Sequence, residues 1–210
     1  MKLYDYPYSS AAYRVRIALN LKGQTVEAVP VDLREGRQCS ADYHALNPTG
    51  LVPSLDTGEG LLGQSLAIIE YLDERFPEPP LLPAGAFARA RARSLALQVA
   101  CDIHPLNNLR VRQYLERELG ASEEQKLAWY HHWLRLGLDA LERQLAGSGS
   151  LFCCGDTPGL ADICLVPQLY NARRFGLDLA PYPRLVAIDT ACQRLEAFAN
   201  AHPDHRRSDE

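Results

Sequence analysis

The chain lacks any apolar run near the roughly 18 residues of a membrane-crossing helix, so no transmembrane span and no membrane partner are expected. It also lacks a charge excess of one sign. Lys and Arg number 22 against 26 Asp and Glu, a formal net charge of −4, which gives no reason to expect nucleic acid or an anionic membrane as partner. The opening Met1-Lys2-Leu3-Tyr4-Asp5-Tyr6-Pro7 has no apolar core of a signal peptide and already reads as a strand. Six cysteines are present, Cys39, Cys101, Cys153, Cys154, Cys164 and Cys192, with no C-x-x-C pair and no zinc-ligand spacing. No metal site is expected. The cysteines read as free, mostly buried thiols of a reducing compartment, and the expected location is cytoplasmic. Any thiol chemistry then falls to a sulfur the protein binds rather than to its own.

The 210 residues are 47% hydrophobic and 23% charged, a globular balance with room for one large domain or two small ones. The clearest punctuation is Pro77-Glu78-Pro79-Pro80-Leu81-Leu82-Pro83-Ala84-Gly85, which holds four of the fourteen prolines. Proline removes amide donors and disfavours helix in the residue before it, so this stretch reads as an ordered linker. Ahead of it, residues 2–5 read as a strand. Residues 9–22 read as a helix with Ala11, Val15, Ala18 and Leu19 on one stripe, stopped by Gly23. Residues 26–31 read as a strand, 40–46 as a short helix, 52–55 and 61–62 as strands, and 65–76 as a helix. The order βαβ-α-ββα is that of a thioredoxin-like domain. Behind the linker only helical patterns occur: 87–119 with Leu95, Val99, Ile103 and Leu106 in line, 122–146 with Leu127, Tyr130, Leu134, Leu138, Leu141 and Leu145, then 160–175 and 184–199. Residues 147–150 read as a loop and 202–210 as a polar, frayed tail. The expected fold class is α/β plus all-α, a thioredoxin-like domain over residues 1–80 followed by an all-helical domain over 87–210.

Three short clusters carry possible chemistry. Ser9-Ser10-Ala11-Ala12-Tyr13-Arg14-Val15-Arg16 opens a helix, where unpaired amides and the positive end of the dipole favour a thiolate over a thiol and a hydroxyl can donate to sulfur. The pair also reads as a plain helix cap. In Asn47-Pro48-Thr49-Gly50-Leu51-Val52-Pro53-Ser54-Leu55, Pro53 stands before a strand. A cis Val52–Pro53 bond there leaves the Val52 backbone able to pair with a peptide ligand, and an ordinary trans turn is the alternative. Gln64-Ser65 opens a third helix, and its amide and hydroxyl can form an anion site, suited to a carboxylate, or again a plain cap.

In this order, ahead of a helical domain, the clusters resemble the glutathione transferase superfamily. The run from Ser9 to Leu19 resembles the signature of its zeta class, which contains the maleylacetoacetate and maleylpyruvate isomerases. The resemblance extends through Ala45-Leu46-Asn47-Pro48, Gln64-Ser65-Leu66-Ala67-Ile68-Ile69-Glu70-Tyr71-Leu72, Leu81-Leu82-Pro83, Leu160-Ala161-Asp162-Ile163-Cys164-Leu165 and Asp178-Leu179-Ala180-Pro181-Tyr182-Pro183, and Cys101-Asp102-Ile103-His104-Pro105-Leu106-Asn107-Asn108 is similar to the maleylpyruvate branch.

The resemblance implies glutathione as the bound cofactor, a small dicarboxylate as substrate and a homodimer. It implies that Ser9, with Ser10 and Ala11 beside it, holds the glutathione sulfur. Gln38, the backbone of Val52 and Pro53 would hold the tripeptide. Gln64 and Ser65 would take its γ-glutamyl carboxylate, and His104 and Asn108 would close the site from the second domain. Read alone, His104 is a core or kink residue ahead of Pro105. A dicarboxylate calls for cations, and guanidinium binds carboxylate with two prongs. Arg110 and Arg174 are the candidates, with Tyr8 beside the serine pair. Arg173 reads as a solvated arginine, and Arg89, Arg91 and Arg93 as an exposed or interface face. The zeta pattern usually has cysteine where this chain has Ala11, a bulky basic residue at Tyr8, and Thr or Ser at Gly159. The implied reaction is glutathione-dependent cis–trans isomerisation. Conjugation or dehalogenation of small electrophiles is the enzymatic alternative, and a non-catalytic interaction protein is the other.

Overall fold

Lys2–Asp5 alternates exposed and buried positions and forms β1, an inner strand of a four-stranded sheet of order β2-β1-β3-β4. The structure is a computed structural model and describes residues 1–205. β2 (Glu27–Pro30) runs parallel to β1, with Lys2 opposite Glu27. A parallel pair needs a crossover, and α1 (Ser10–Leu21) supplies it. Gly23, at φ 62°, ends that crossover as expected. After α2 (Ala41–Leu46) come β3 (Ser54–Asp56), antiparallel to β1 with Leu55 opposite Leu3, then β4 (Leu61–Leu62) and α3 (Ser65–Arg75). This is the thioredoxin-like order. Two strands differ from expectation. β2 is shorter at both ends, and β3 begins at Ser54 because Val52 and Pro53 belong to the preceding turn, where proline has no amide to give a ladder.

α1 is buried almost all round, with Ala12, Tyr13, Val15, Ile17, Ala18 and Leu19 in the core beside two charged residues, Arg14 and Arg16. It packs against α3 and against α9 (Glu196–Ala199), a short helix from the far end of the chain. Arg16 joins these parts. Its guanidinium donates to Asp5 Oδ1 at the end of β1 (2.7 Å), to the Pro7 carbonyl (2.9 Å) and to the Ala201 carbonyl (3.1 Å). At the other end of α1, buried Lys22 donates to Asp73 of α3 and to the carbonyl of Pro79, which ties the start of the proline-rich linker to this unit. By its own packing the chain divides into Met1–Pro80 together with the segment from Gln193 on, and Leu81–Cys192. The sequence division placed everything after residue 87 in one domain, whereas α9 and Ala201 pack with the first unit. Residues 206–210 of the polar tail lie outside the described residues, and 203–205 form a single turn rather than a frayed end.

In the second unit the single helix expected over 87–119 is broken. α4 (Ala86–Leu97) runs into a wide π-helical turn at Gln98–Ile103, a tight turn at Pro105–Asn107 and a new helix, α5 (Leu109–Arg117). Pro105 has no amide to continue the ladder, and the His104 N–H reaches back five residues to Val99. Trp129 Nε1 donates to the Leu106 carbonyl (2.8 Å) and Asn107 Nδ2 to the Tyr130 carbonyl (3.3 Å), so α6 (Glu123–Leu145) holds the interruption in place. α6 opens with a reciprocal Ser122–Gln125 cap. Its stripe runs through Tyr130, Leu134, Leu138, Leu141 and Leu145. Leu127, expected on that stripe, is exposed, and Lys126 takes the buried place with its ammonium held by Glu116 and Glu123.

α7 (Leu160–Arg174) packs on α4 and is buried over most of its length. Its cap residue is Gly159, where the zeta pattern has a hydroxyl. The Leu81 carbonyl lies 2.7 Å from where a Cβ at 159 would stand and accepts from Leu160 N, so a side chain would displace it. The capping falls instead to buried Asp162, whose carboxylate accepts from the N–H groups of Gly159 (2.9 Å) and Cys153 (2.8 Å). The helix expected over 184–199 is two pieces, α8 (Pro183–Gln193) and α9, separated where Leu195 turns extended at ψ 128°. The cysteines are less uniformly hidden than expected: Cys153, Cys164 and Cys192 are buried, Cys154 is half-buried, and Cys39 and Cys101 are exposed. Burial pushes the Cys153 and Cys192 thiols up, and the Asp162 charge adds to it, so both stay protonated and unreactive at neutral pH.

Replacing Asp162 by Ala strands the buried Cys153 amide and the half-buried Gly159 amide. Asp162→Ala is expected to lower unfolding free energy by about 2–4 kcal/mol in a urea titration followed by circular dichroism. Loss below about 0.5 kcal/mol, the scale of an ordinary surface change, would rule out this capping role.

Candidate functional site

Ser9 is the cap of α1, half-exposed, with its Oγ accepting the Ala12 N–H at 3.2 Å. Its own amide is spent on the Tyr6 carbonyl, and its carbonyl accepts from Tyr13 N. A hydroxyl that accepts through oxygen still has a proton to give, and no described residue takes it. The plain-cap reading is therefore right about the oxygen, and the proton stays unmatched among the described residues. First-turn amides and the dipole add positive potential at the same place. Ser10 is buried and Ala11 half-exposed, so of the serine pair Ser9 is the one at the surface. Tyr8 is half-exposed with its ring edge against Tyr6 at 5.9 Å. Arg16, bonded to the Pro7 carbonyl, pins the backbone two residues ahead of Ser9.

The loop from Asn47 to Ser54 is held by two side chains, Asn47 and Tyr43. Asn47, buried, donates to the Leu51 carbonyl and to Ser54 Oγ (2.8 Å each) and accepts from Thr49 N and Oγ1. The Tyr43 hydroxyl donates to the same Leu51 carbonyl at 2.8 Å. The Val52–Pro53 bond is cis, the first of the two alternatives, and the Val52 backbone makes no hydrogen bond to a described residue. Gln38 lies on a tight turn, Arg37–Cys39, whose Gln38 carbonyl stands 3.2 Å from where a Cβ on Gly50 would be, with the His44 ring at 2.9 Å. Gly50, at φ 62°, is thus required both by conformation and by room. Gln38 Oε1 is buried without a partner.

Gln64 has φ 63° and ψ 114°, and among the described residues it alone has a positive φ without being glycine. Such a conformation costs on the order of 1–3 kcal/mol and clusters at functional sites. Ser65 follows as the first residue of α3, not its cap, and its hydroxyl makes no helix-capping bond. It accepts instead from Nη1 of Arg14 at 3.3 Å. The alternative of a plain cap does not hold here.

In the second unit, His104 ends the π-helical turn, so its backbone has the kink role the sequence allowed. Asn108 caps α5 through Oδ1, which accepts from Arg110 N at 3.3 Å and leaves its NH2 group to donate. Arg110 is exposed. Arg174 lies over the Phe175 ring at 5.7 Å and shares it with Arg112 at 4.6 Å, a residue sequence reasoning passed over. Phe175 stacks on Tyr130 with ring centroids 4.1 Å apart and is anchored by its carbonyl to His131 Nε2 at 2.7 Å. Burial pushes the Tyr130 phenol up, and the charges of Arg112 and Arg174 oppose that shift. Arg173 is not simply solvated: it pairs with buried Asp189 at 2.7 Å. Among the described residues no cluster of three or more His, Cys, Asp or Glu could hold a metal ion, and no helix is long and apolar enough to cross a membrane.

The geometry agrees with what the chain is similar to. Residues 3–80 match the family model for the glutathione S-transferase N-terminal domain, and residues 134–198 match that for the C-terminal domain. A probable maleylacetoacetate isomerase of Vibrio cholerae is 50% identical over 206 residues, covering 97% of this chain and 96% of the relative. A maleylpyruvate isomerase of a Ralstonia species is 49% identical, with 97% of each chain covered. Among solved structures, a holo maleylpyruvate isomerase described as a bacterial zeta-class glutathione S-transferase is 48% identical at TM-score 0.96, with 99% of each chain covered. A maleylacetoacetate isomerase of Methylobacterium extorquens, solved with malonate and glutathione bound, is 44% identical at the same TM-score, with 99% of each chain covered. This chain belongs to the glutathione S-transferase family, in the zeta-class group of the maleylacetoacetate and maleylpyruvate isomerases.

Proposed function

We propose that this protein is an enzyme that uses glutathione to convert a maleyl dicarboxylate, maleylacetoacetate or maleylpyruvate, to its fumaryl isomer in the breakdown of aromatic compounds. The observation that carries the reading is the Ser9 hydroxyl, fixed by Ala12 N and left with a proton to donate at the N-terminus of α1. In this reading Ser9 donates to the glutathione sulfur and, with the first-turn amides about Ser10 and Ala11, favours the thiolate. The unpaired Val52 backbone beside Pro53 bonds the cysteinyl part of the tripeptide as a strand would, and Gln38 offers its orphaned carbonyl oxygen to a donor of the same ligand. Gln64 and Ser65 receive the γ-glutamyl carboxylate. His104 and Asn108 are further glutathione contacts.

Glutathione held by these residues would supply a thiolate nucleophile able to add reversibly to a conjugated cis double bond and so let it rotate, and it would be returned unchanged. The substrate carboxylates and the charge developing on the conjugated carbonyl would need cations, and Arg174 would serve that need, with Arg110 and Tyr8 as further substrate contacts. Residues 1–80 form the glutathione-binding domain, with α9 and Ala201 packed onto it, and residues 87–192 form the substrate domain. A two-fold homodimer and a cytoplasmic location complete the reading.

Both maleyl substrates, assayed with and without glutathione, test it. The expected result is fumaryl product with no loss of thiol, and consumption of glutathione with turnover would give the case to a conjugating transferase. Ser9→Ala is expected to raise the pKa of bound glutathione and to lower kcat by roughly one to three orders of magnitude. A mutant with unchanged kcat and thiolate absorbance would remove Ser9 from that role. Arg174→Ala is expected to cost about 1.5–3 kcal/mol in kcat/KM for maleyl substrates and to leave a neutral electrophile unaffected. Equal losses on both would make the arginine structural. Light scattering at micromolar concentration should give twice the 23.4 kDa chain mass, and a monomer mass would reject the dimer.

A further inference from the structure

Two buried side chains, Arg14 and Ser65, meet at the start of α3, and the Ser65 hydroxyl has a proton it has not used. Ser65 has 7% of its surface exposed and Arg14 has 1%. The Ser65 hydroxyl makes a single hydrogen bond among the described residues, the 3.3 Å contact with Arg14 Nη1. Guanidinium has donors and no acceptor, so the direction of that bond is set: Arg14 gives and Ser65 receives. The Ser65 hydrogen is thereby turned away from Arg14 and has no acceptor among the described residues. A nine-tenths buried donor without a partner points to a ligand that accepts. Gln64, immediately ahead, is held at φ 63°, a strain that other packing must sustain. A hydroxyl that accepts from a permanent cation also becomes a stronger donor.

We infer that Arg14 is a positioning residue for glutathione. It fixes the Ser65 hydroxyl as a donor toward the γ-glutamyl α-carboxylate without touching the ligand itself. This rests on the assignment of that carboxylate to Ser65 made above. Arg14 stands on the core stripe of α1, three residues after Ala11 and four before Ala18, where burial of an apolar residue would be the ordinary outcome. A purely apolar residue there would leave the Ser65 hydroxyl free to turn inward or toward a backbone carbonyl.

The test compares glutathione with γ-aminobutyryl-cysteinyl-glycine, which lacks only the α-carboxylate, as ligands of the full-length protein in calorimetric titrations. Wild type is expected to bind glutathione about tenfold or more tightly than the analogue, the scale of one hydrogen bond to a charged group. Arg14→Met is expected to lose most of that preference while its Kd for the analogue stays within about threefold of wild type, less than one such bond. Ser65→Ala should lose the same preference, and the double mutant should lose no more than either alone, since both act on one bond. Arg14→Lys, which keeps a buried cationic donor, is expected to restore at least half of the preference in logarithmic terms, and it tests the inference even if Arg14→Met does not fold. Equal weakening of both ligands by the Arg14 variants, or additive losses in the double mutant, would overturn the positioning role while leaving the Ser65 assignment standing. A wild type that does not distinguish the two ligands would overturn that assignment and this inference with it.

Discussion

The first unit depends on a cation placed where water is absent. Arg16 is almost wholly buried, and an uncompensated charge in such a place would cost several kcal/mol. Three oxygens compensate it, and each belongs to a different part of the chain: Asp5 from β1, Pro7 from the turn ahead of Ser9, and Ala201 from beyond α9. Removing any one leaves part of a buried guanidinium unsatisfied, so strand end, turn and returning segment stand or fall together. The Pro7–Ser9 turn could otherwise drift as surface turns do. Its precision comes from this bond together with the Ser9 N–H to Tyr6 carbonyl.

Ser9 and Ser65 obey the same rule of hydrogen-bond direction. In each case a donor that can only donate, the Ala12 amide or the Arg14 guanidinium, occupies the hydroxyl oxygen, and the proton is what remains. Neither geometry could be read as function from the bond alone, because an accepted hydrogen bond at a helix start is also what a cap makes. The difference lies in the unmatched proton. The loop at Val52 follows a related principle: Asn47 and Tyr43 both bond the Leu51 carbonyl and hold the loop, and the neighbouring Val52 backbone bonds no described residue.

In the second unit, interruptions and replacements each answer to a neighbour. Pro105 ends a helix that apolar periodicity would have carried to residue 119, and Asn108 starts the next with Arg110 and Arg112 in its first turn. Phe175 then collects Arg112 and Arg174 over one ring, an arrangement in which the cations attract the ring face more than they gain from water alone. At Gly159, where the zeta pattern carries a hydroxyl, the Leu81 carbonyl stands in the space a side chain would take, and Asp162 does the capping.

The sequence by itself determined the thioredoxin-like order, the helical character of everything beyond the linker, the family, and the short clusters at Ser9, Val52 and Ser65. These follow from signals a few residues long: periodicity, glycine and proline stops, helix openings, and a signature run in fixed order. It misplaced the ends of β2 and β3, the long helix through Pro105, the helix through Leu195, and the burial of Leu127, because those depend on what a neighbour accepts rather than on local pattern. The roles of Arg14, Arg16 and Asn47 belong to the tertiary structure. A buried arginine on an apolar stripe is visible in the sequence as a charge out of place, yet which oxygens meet it, 51 residues on for Ser65 and 185 for Ala201, is decided only when distant segments pack. A charge at a core position announces that a partner must exist, and folding alone chooses the partner.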